Sequence, residues 1–214
     1  MIDFEVETTR RQWLNEDVFE LGFRRPRGFN FIPGQKIRLG KNGISRQYTL
    51  INAPDSSELT LCVRHLQDGQ FTPLLARSQV GDIFSMSAAQ GFFTYRSNDR
   101  RAVFVATGTG IAPFLAYARA GIQGSLLLHG AAAESELLYR NEVEKSVGVY
   151  VPCLTGSGSK GHFWSGRVTS YLERSLEVQE YDFYLCGNGN MIRDAVKIID
   201  SRLSSSRLFL ETFF

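Results

Sequence analysis

The chain has 214 residues, enough for one large domain or for two domains of roughly 100 residues, and either size can bury a hydrophobic core. Its 43% hydrophobic and 21% charged residues are typical of a globular protein and argue against a disordered or membrane-embedded chain. A formal net charge of +2 is too small to indicate nucleic acid as a partner, and the charges throughout residues 1–20 exclude an ordinary signal peptide. We therefore expect a soluble, cytoplasmic protein that binds neither nucleic acid nor a membrane.

Cysteines are few and widely separated, at Cys62, Cys153 and Cys186. Their odd number and wide spacing argue against a disulfide framework, and their spacing matches neither a zinc site nor an iron–sulfur cluster. We therefore predict no metal centre in this chain.

Up to about residue 97, short runs of β-forming residues alternate with turn residues. In the stretch 58–66, leucine and valine alternate with polar neighbours, the period of a strand with one buried face. This half is predicted to form an antiparallel barrel or sandwich. The stretch 71–78 is an exception, because Pro73 near its start and the apolar residues that follow favour a short helix.

From Arg101 onward the pattern changes, and the polar stretch 96–100 is the natural boundary between the two halves. The predicted strands cover 103–106, 126–128, 149–154 and 181–186, the predicted helices cover 112–120, 135–145 and 191–203, and a last strand follows the serines at 204–206. Alternation of strand and helix is typical of a parallel sheet. We therefore predict an N-terminal antiparallel β-barrel domain, 1–97, and a C-terminal α/β parallel-sheet domain, 98–214.

A glycine-rich turn follows the first strand of the second half. Gly108 and Gly110 stand between that strand and a helix start, where backbone N–H groups can approach a phosphate. The segment departs from the usual dinucleotide fingerprint, because Pro113 replaces the third glycine and the next strand ends in His129-Gly130 instead of an acidic residue. By itself, the turn fits either an anion site or a tight connection that needs glycine only for its backbone angles.

Three motifs together are more specific than any one of them. They are Arg46-Gln47-Tyr48-Thr49, Gly108-Thr109-Gly110-Ile111-Ala112-Pro113 and Cys186-Gly187-Asn188-Gly189-Asn190-Met191. In this order and spacing they resemble the ferredoxin–NADP⁺ reductase family, and the segments 68–72, 91–93 and 211–214 resemble its compact bacterial members. The resemblance covers essentially the whole chain. It implies an FAD-binding barrel followed by an NAD(P)-binding domain with a C-terminal tail that covers the flavin.

The family resemblance implies FAD-binding roles for residues of the first half. Arg46 would bind the pyrophosphate, Tyr48 would lay its ring on the isoalloxazine, and Thr49 would place its hydroxyl beside the flavin N5 edge. A forked guanidinium suits a pyrophosphate, and residues 46 and 48 share one strand face. A surface arginine and a core tyrosine are the structural alternatives. The predicted FAD-binding set also includes Gln47, Arg64, His65, Leu66, Gln70, Phe71 and Thr72, of which Thr72 would serve equally well as a plain helix N-cap.

Cys186 ends an apolar strand at the edge of the sheet where ligands of α/β proteins bind. The resemblance places its sulfur beside nicotinamide C4 during hydride transfer, whereas a lone buried cysteine is the structural alternative. The predicted dinucleotide-binding residues are Thr107, Gly108, Thr109, Gly110, Pro113, Thr155, Arg167, Cys186, Gly187, Asn188 and Met191.

The resemblance also assigns roles to the end of the chain. Phe213 would cover the flavin face at which the nicotinamide arrives and would move aside for hydride transfer, and Phe214 would lie at the adenine end. Docking of both rings onto the core is the alternative. Glu211 is a candidate proton relay. The predicted catalytic residues are thus Thr49, Cys186, Glu211 and Phe213.

The choice between NADH and NADPH is left open by the sequence, with a lean to NADH. Relatives specific for NADP bind the 2′-phosphate with arginines after the second and third α/β strands. The matching positions here are Ala132 and Gly156, although Lys160 and Arg167 lie in the same region.

The predicted activity is that of an FAD-dependent ferredoxin–NAD(P)⁺ reductase. A hydride would pass between nicotinamide C4 and flavin N5, followed by one-electron exchange with a separate acidic ferredoxin or flavodoxin, which Arg24, Arg25 and Arg27 would help to dock. Two alternatives remain: an NAD(P)H:flavin reductase that uses free flavin as a substrate, and an NAD(P)H-linked electron-transfer subunit of a larger complex.

Overall fold

The computed structural model describes residues 4–156 and 162–213. The chain divides into two compact units, of which the first contains Met1–Tyr95 and Leu115–Ala120 and the second contains Arg96–Phe114 and Gly121–Phe214. The domain bounds 1–97 and 98–214 stay a prediction.

The first unit is an antiparallel barrel with one short helix. Its elements are β1 (Phe4–Trp13), β2 (Val18–Arg24), β3 (Lys36–Lys41), β4 (Ile44–Thr49), β5 (Glu58–Arg64), α1 (Thr72–Arg77) and β6 (Ile83–Met86). The six strands are ordered β4-β3-β6-β1-β2-β5. An isolated antiparallel bridge between Leu50 and Leu61 joins the two ends of this order, so the sheet is a nearly closed barrel. The predicted fold class of this half is confirmed.

Alternation along the strands builds the core of the barrel. The paired strands β2 and β5 place Phe19 opposite Val63, Leu21 opposite Leu61 and Phe23 opposite Leu59. All of these side chains are buried in one cluster. Because side chains opposite one another in a sheet share a face, the period of two puts every member of this set into the barrel interior.

The second unit contains a parallel sheet. Its strands are β7 (Arg101–Thr107), β8 (Gly124–Ala131), β9 (Val147–Leu154), β10 (Trp164–Ser165), β11 (Tyr181–Gly187) and β12 (Arg207–Thr212), and the helices of this half of the chain are α2 (Ala112–Arg119), α3 (Arg140–Val143), α4 (Val168–Arg174) and α5 (Gly189–Arg202). The strand order is β10-β9-β8-β7-β11-β12. Every pairing is parallel, which confirms the predicted sheet. All residues of β11 are buried, as expected for a strand covered on both faces.

The predicted helix over 135–145 was wrong. A 3₁₀ turn over Glu134–Glu136 is followed by an interruption and then by the short helix α3. The interruption lies at Tyr139, which has a left-handed backbone with φ of 57°. A left-handed residue cannot continue an α-helix, so the helical stretch begins only after Tyr139; the preceding Leu137 and Leu138 are both buried. The sequence analysis also missed α4 and β10.

No helix in residues 4–156 and 162–213 is long and apolar enough to cross a membrane.

Candidate functional site

The end of β4 brings together the residues predicted to bind FAD. In the β3–β4 register, Arg46 lies opposite Leu39 and Tyr48 lies opposite Ile37, so the two side chains share a face of the sheet. The ring of Tyr48 stacks on Phe71, with 6.4 Å between ring centroids and 30° between the planes. Burial raises the pKa of Tyr48, which keeps its hydroxyl protonated and able to donate a hydrogen bond.

Arg46 is exposed and keeps hydrogen-bonding capacity. Its Nη1 donates to the Ser45 carbonyl at 2.7 Å and its Nη2 donates to Gln70 Oε1 at 3.3 Å. A guanidinium has five N–H donors, so these two bonds leave donors for an anionic group. The predicted residues are thus linked in series: Arg46 is bonded to Gln70, and Phe71, the next residue in sequence, stacks on Tyr48.

The loop between β5 and α1 is tied to the helix by Thr72. The Thr72 hydroxyl accepts the Leu66 N–H at 3.0 Å and donates to the Leu66 carbonyl at 3.2 Å. The N-cap alternative for Thr72 was wrong, because Phe71 occupies the N-cap position and no side chain caps the helix. Of the other residues predicted to bind FAD, Gln47, Arg64 and Leu66 are exposed and Thr49 is buried. The His65 ring contacts the Trp13 ring edge-on.

Glycines let the ends of β7 and β11 touch in the second unit. A Cβ atom at Gly110 would lie 2.5 Å from Gly187 Cα and would overlap the Cys186 carbonyl. A Cβ atom at Gly187 would in turn overlap the Thr107 hydroxyl, and Gly187 has φ of 134°, which favours glycine. The glycine requirement therefore comes from close approach at both strand ends as well as from backbone angles.

Asn188 starts helix α5 and links it to β7. Its side chain accepts hydrogen bonds from the N–H groups of Asn190 and Met191, at 2.9 and 3.3 Å, which is an N-cap. Its own N–H donates to the Thr107 hydroxyl at 3.1 Å. These bonds hold the third motif at the carboxyl edge of the sheet.

A cleft of about 340 Å³ opens at this edge of the second unit. Its lining includes the predicted residues Thr107, Thr155, Arg167, Asn188 and Met191, and it also includes Gly130, Ala131, Cys153, Val168, Thr169, Asn190 and Asp194, which the sequence analysis did not select. Gly130, Ala131 and Cys153 lie at the carboxyl ends of β8 and β9, and ligands of α/β proteins bind at the carboxyl ends of parallel strands. Asp194 lies four residues after Asn190 on α5, a spacing that places both on one helix face.

The predicted catalytic residues of the second unit meet at the end of β11. Cys186 is fully buried and is aligned with Glu211 in the parallel β11–β12 register. The Phe213 N–H donates to the Gly187 carbonyl at 2.9 Å. Cys186, Glu211 and Phe213 are therefore neighbours. They lie beside, and not among, the residues that line the cleft.

Two family models match the chain in sequence. Residues 5–95 match the one described as oxidoreductase FAD-binding domain, and residues 104–197 match the one described as oxidoreductase NAD-binding domain. The flavodoxin/ferredoxin–NADP reductase of Escherichia coli (strain K12) is 27% identical over 214 residues, covering 88% of this chain and 86% of that protein. The chain belongs to the ferredoxin reductase family. FAD and a nicotinamide dinucleotide are the cofactors of its two domains.

Other ferredoxin reductase relatives differ in length. The anthranilate 1,2-dioxygenase electron transfer component of Acinetobacter baylyi is 30% identical over 203 residues, covering 86% of this chain but 58% of that protein. The chain spans 58–59% of the length of the first curated relatives that it matches. The crystal structure of a ferredoxin NADP⁺ reductase from Neisseria gonorrhoeae with bound FAD and NADP shares the fold, with a TM-score of 0.85, 23% identity and coverage of 99% of this chain and 98% of that one.

Two buried polar side chains near the carboxyl edge of the sheet, Cys153 and His129, have shifted pKa values. Burial raises the pKa of Cys153 to about 12, so its thiol stays protonated although it lines the cleft. Burial and the nearby Arg140 lower the pKa of His129 to about 3, so its ring stays neutral, and Nδ1 lies 3.0 Å from the Tyr150 hydroxyl. Neither group is suited to proton transfer at neutral pH.

The loop after β9 has no space for a side chain at Gly156, which is the position that the sequence analysis matched to an arginine of NADP-specific relatives. The Gly156 N–H donates to the Ala132 carbonyl at 2.8 Å, and a Cβ atom at position 156 would lie 2.6 Å from that same oxygen. Any side chain there requires the backbone to move. Lys160 and Phe214, which the sequence analysis also named, lie outside the described residues.

Proposed function

We propose that this chain is an FAD-dependent ferredoxin or flavodoxin–NAD(P)⁺ reductase. The observation that carries the proposal is the joint match to an FAD-binding and an NAD-binding domain, in a chain where the predicted FAD residue Arg46 is bonded to Gln70 and Tyr48 stacks on Phe71. FAD, when bound, accepts a hydride at N5 from the nicotinamide and releases electrons one at a time.

The first unit fits a flavin dinucleotide. The exposed Arg46 has guanidinium donors left for a pyrophosphate, and Gln70 beside it adds an amide. The Tyr48 ring, supported from behind by Phe71, offers an aromatic surface for the isoalloxazine. Thr49, the next residue, carries a buried hydroxyl that would serve beside the flavin N5 edge.

The second unit fits a nicotinamide dinucleotide. The cleft of about 340 Å³ is large enough to hold part of such a ligand, and Arg167 in its lining supplies a cation for a phosphate group. Threonine hydroxyls at positions 107, 155 and 169 and amides at 188 and 190 provide neutral hydrogen-bonding groups around it. Gly108, with φ of 56°, keeps the turn after β7 free of a side chain, so that its backbone can approach a phosphate.

We propose NADH as the preferred dinucleotide. Ala132 and Gly156 replace the two arginines of NADP-specific relatives, and the contact of Gly156 with the Ala132 carbonyl leaves no room for a side chain. Asp194 adds a carboxylate to the cleft, which disfavours the extra dianionic phosphate of NADPH.

The catalytic roles proposed for Cys186, Glu211 and Phe213 rest on their common position. A buried, apolar thiol at Cys186 would pack on the nicotinamide ring without competing for the hydride. Glu211, aligned with Cys186 in the sheet, would hold or deliver a proton. Phe213, fixed by its hydrogen bond to Gly187, would supply an aromatic surface that excludes water.

The proposed partner is a separate, acidic ferredoxin or flavodoxin, and the proposed location is the cytoplasm. Arg25 is not available for docking, because its guanidinium donates to the carbonyls of Phe29, Pro54 and Ser56. The partner would therefore meet Arg27 and Arg24, of which Arg24 lies 3.5 Å from Glu7.

The test is the visible spectrum of the purified protein, followed by anaerobic titration with NADH and then NADPH. A yellow protein with stoichiometric FAD, bleached at a lower concentration of NADH than of NADPH, is the expected result. A colourless protein that oxidises NADH only after free flavin is added would replace the proposal with the flavin reductase alternative.

A second candidate is the electron-transfer component of an oxygenase system. It is favoured by relatives described as dioxygenase electron transfer components, of which this chain spans 58% and 59%. The flavin-loaded protein would then reduce an oxygenase-type ferredoxin faster than a flavodoxin under NADH, which stopped-flow absorbance measures.

A further inference from the structure

Helix α1 is too short to hold its position by itself. It has six residues, of which only Leu75 is buried, and no side chain caps its first turn. Isolated helices of this length are not stable in water, since the cost of nucleation exceeds the gain from so few hydrogen bonds. Its place in the first unit therefore depends on tertiary contacts, which are the packing of Leu74, Leu75 and Ala76 on the barrel core and the hydrogen bonds at its two ends.

The N-terminal end of α1 is attached to the residues proposed to bind the FAD pyrophosphate. Thr72 is bonded to the Leu66 backbone, and Gln70, just before the helix, receives Arg46 Nη2 at 3.3 Å. A shift of α1 along its axis would consequently move Gln70 and Phe71 relative to Arg46 and Tyr48.

The C-terminal end of α1 is held by Arg11 from strand β1. Arg11 Nη1 donates to the Ala76 carbonyl at 2.5 Å and to the Ser78 carbonyl at 2.8 Å. Carbonyls at the end of a helix lack partners within the helix and attract a cation. Because the Arg11 backbone is paired with Leu21 in the barrel sheet, this contact ties the end of α1 to strand β1.

We infer that Arg11 is a positioning residue for FAD: it sets the place of α1, and so the place of Gln70 and Phe71 at the pyrophosphate. The inference rests on the proposed binding of FAD by the first unit. It assigns a role in cofactor binding to a residue on β1, 59 residues before Gln70 in the sequence. Arg11 acts through α1 and needs no contact with the flavin.

The second unit contains a matched control. Arg202 of α5 donates to the carbonyls of Leu172 and Leu176 at the end of helix α4, the same kind of contact. Arg202→Met therefore removes a comparable pair of hydrogen bonds without touching α1.

The experiment compares wild type, Arg11→Met, Arg11→Lys and Arg202→Met. FAD is stripped from each protein, and its dissociation constant is measured by quenching of flavin fluorescence on rebinding; melting temperatures and the KM for NADH at saturating FAD are measured in parallel. Arg11→Met is expected to raise the FAD dissociation constant about tenfold, the effect of losing one charged hydrogen-bonded contact, with an unchanged KM for NADH. Arg11→Lys, which keeps the charge and reaches one carbonyl, is expected to raise it about threefold.

Arg202→Met is expected to lower the melting temperature and to leave the FAD dissociation constant within a factor of two of wild type. An unchanged FAD dissociation constant in both Arg11 variants, or an equal rise in Arg202→Met, would overturn the inference. If Arg11→Met does not fold, the Arg11→Lys result decides by the same criterion. Failure of the proposed function is distinguished at once, because the wild-type protein would then bind no FAD.

Discussion

The Tyr48 side chain packs against the barrel core and is also the residue proposed to bind the flavin ring. Its ring is half-buried against Phe71, and it follows Arg46 by two positions on the same face of β4. A tyrosine in a strand does not by itself indicate a binding site, because many such residues only pack in the core. The neighbouring guanidinium of Arg46, which is exposed and bonded to Gln70, is the observation that supports the flavin-binding role proposed for the ring.

Replacing Tyr48 with alanine is expected to weaken FAD binding by about tenfold or more, because an aromatic contact contributes about 0.5–1.5 kcal/mol beyond the apolar area that it buries. Tyr48→Phe keeps the ring and is expected to stay within about threefold of wild type. Flavin fluorescence on rebinding to the stripped proteins measures both constants. Equal FAD retention in the alanine variant would show that Tyr48 is a core residue alone.

Among the elements, the turn between β7 and α2 and the start of α5 form one structural feature. Gly110 approaches the end of β11, and Asn188 both caps α5 and bonds to Thr107 at the end of β7. The two motifs are 78 residues apart, counted from Gly110 to Asn188, yet they are in direct contact through Gly110 with Gly187 and Thr107 with Asn188. The cleft depends on this joint, since Thr107 and Asn188 both line it.

Gly110→Ala is expected to lower the free energy of unfolding by about 1–3 kcal/mol, because the added methyl group overlaps the Cys186 backbone. NADH binding should weaken as well, while the FAD dissociation constant should not change. Gly148→Ala is the control, since its Cβ atom would lie 3.1 Å from the nearest oxygen, that of Ser125. Denaturant melts and NADH titrations compare the two variants; similar NADH affinity in both would contradict the role of the joint.

Over the whole molecule, each unit has its own apolar core, and the second unit also has an ion pair between the buried Asp182 and the partly exposed Arg207. Asp182 is 1% exposed and accepts hydrogen bonds from Arg207 at 2.7 and 2.6 Å and from Asn98 at 2.9 Å. Burial by itself would raise the pKa of Asp182, but the bonds from Arg207 and Asn98 outweigh it and hold that pKa below its ordinary value. This pair joins β11, β12 and the segment before β7.

Acid is expected to destabilise the protein partly through Asp182. Its pKa is lower in the folded than in the unfolded chain, so its contribution is complete above the unfolded pKa of about 4 and is lost as the pH falls through the folded pKa. Asp182→Asn should therefore lower the melting temperature at pH 7 and make its decline below pH 4 shallower. Melting curves from pH 7 to pH 2.5 measure the melting temperature of both proteins. Parallel declines in variant and wild type would show that Asp182 does not contribute to the loss of stability in acid.

The success of prediction differed among the elements for physical reasons. Strand β5 was predictable because leucine and valine alternate with polar residues over 58–66, and α5 because its amphipathic pattern is local. The segment 135–145 was not, since its hydrophobic pattern suits a helix whereas the left-handed backbone of Tyr139 interrupts the helix before α3. The short helix α4 was missed, although Val168 and Leu172 are spaced as on a helix face.

The sequence by itself determined the family, the two kinds of fold and the two cofactors, because three local motifs in a set order carry that information. Tertiary structure alone decided which residues line the cleft and how Arg11 reaches α1. It also decided that a side chain at position 156 would require the backbone to move. These contacts join strand ends and helices that are distant in the chain. Their partners are chosen by the order of strands in each sheet, and no local pattern of residues reports that order.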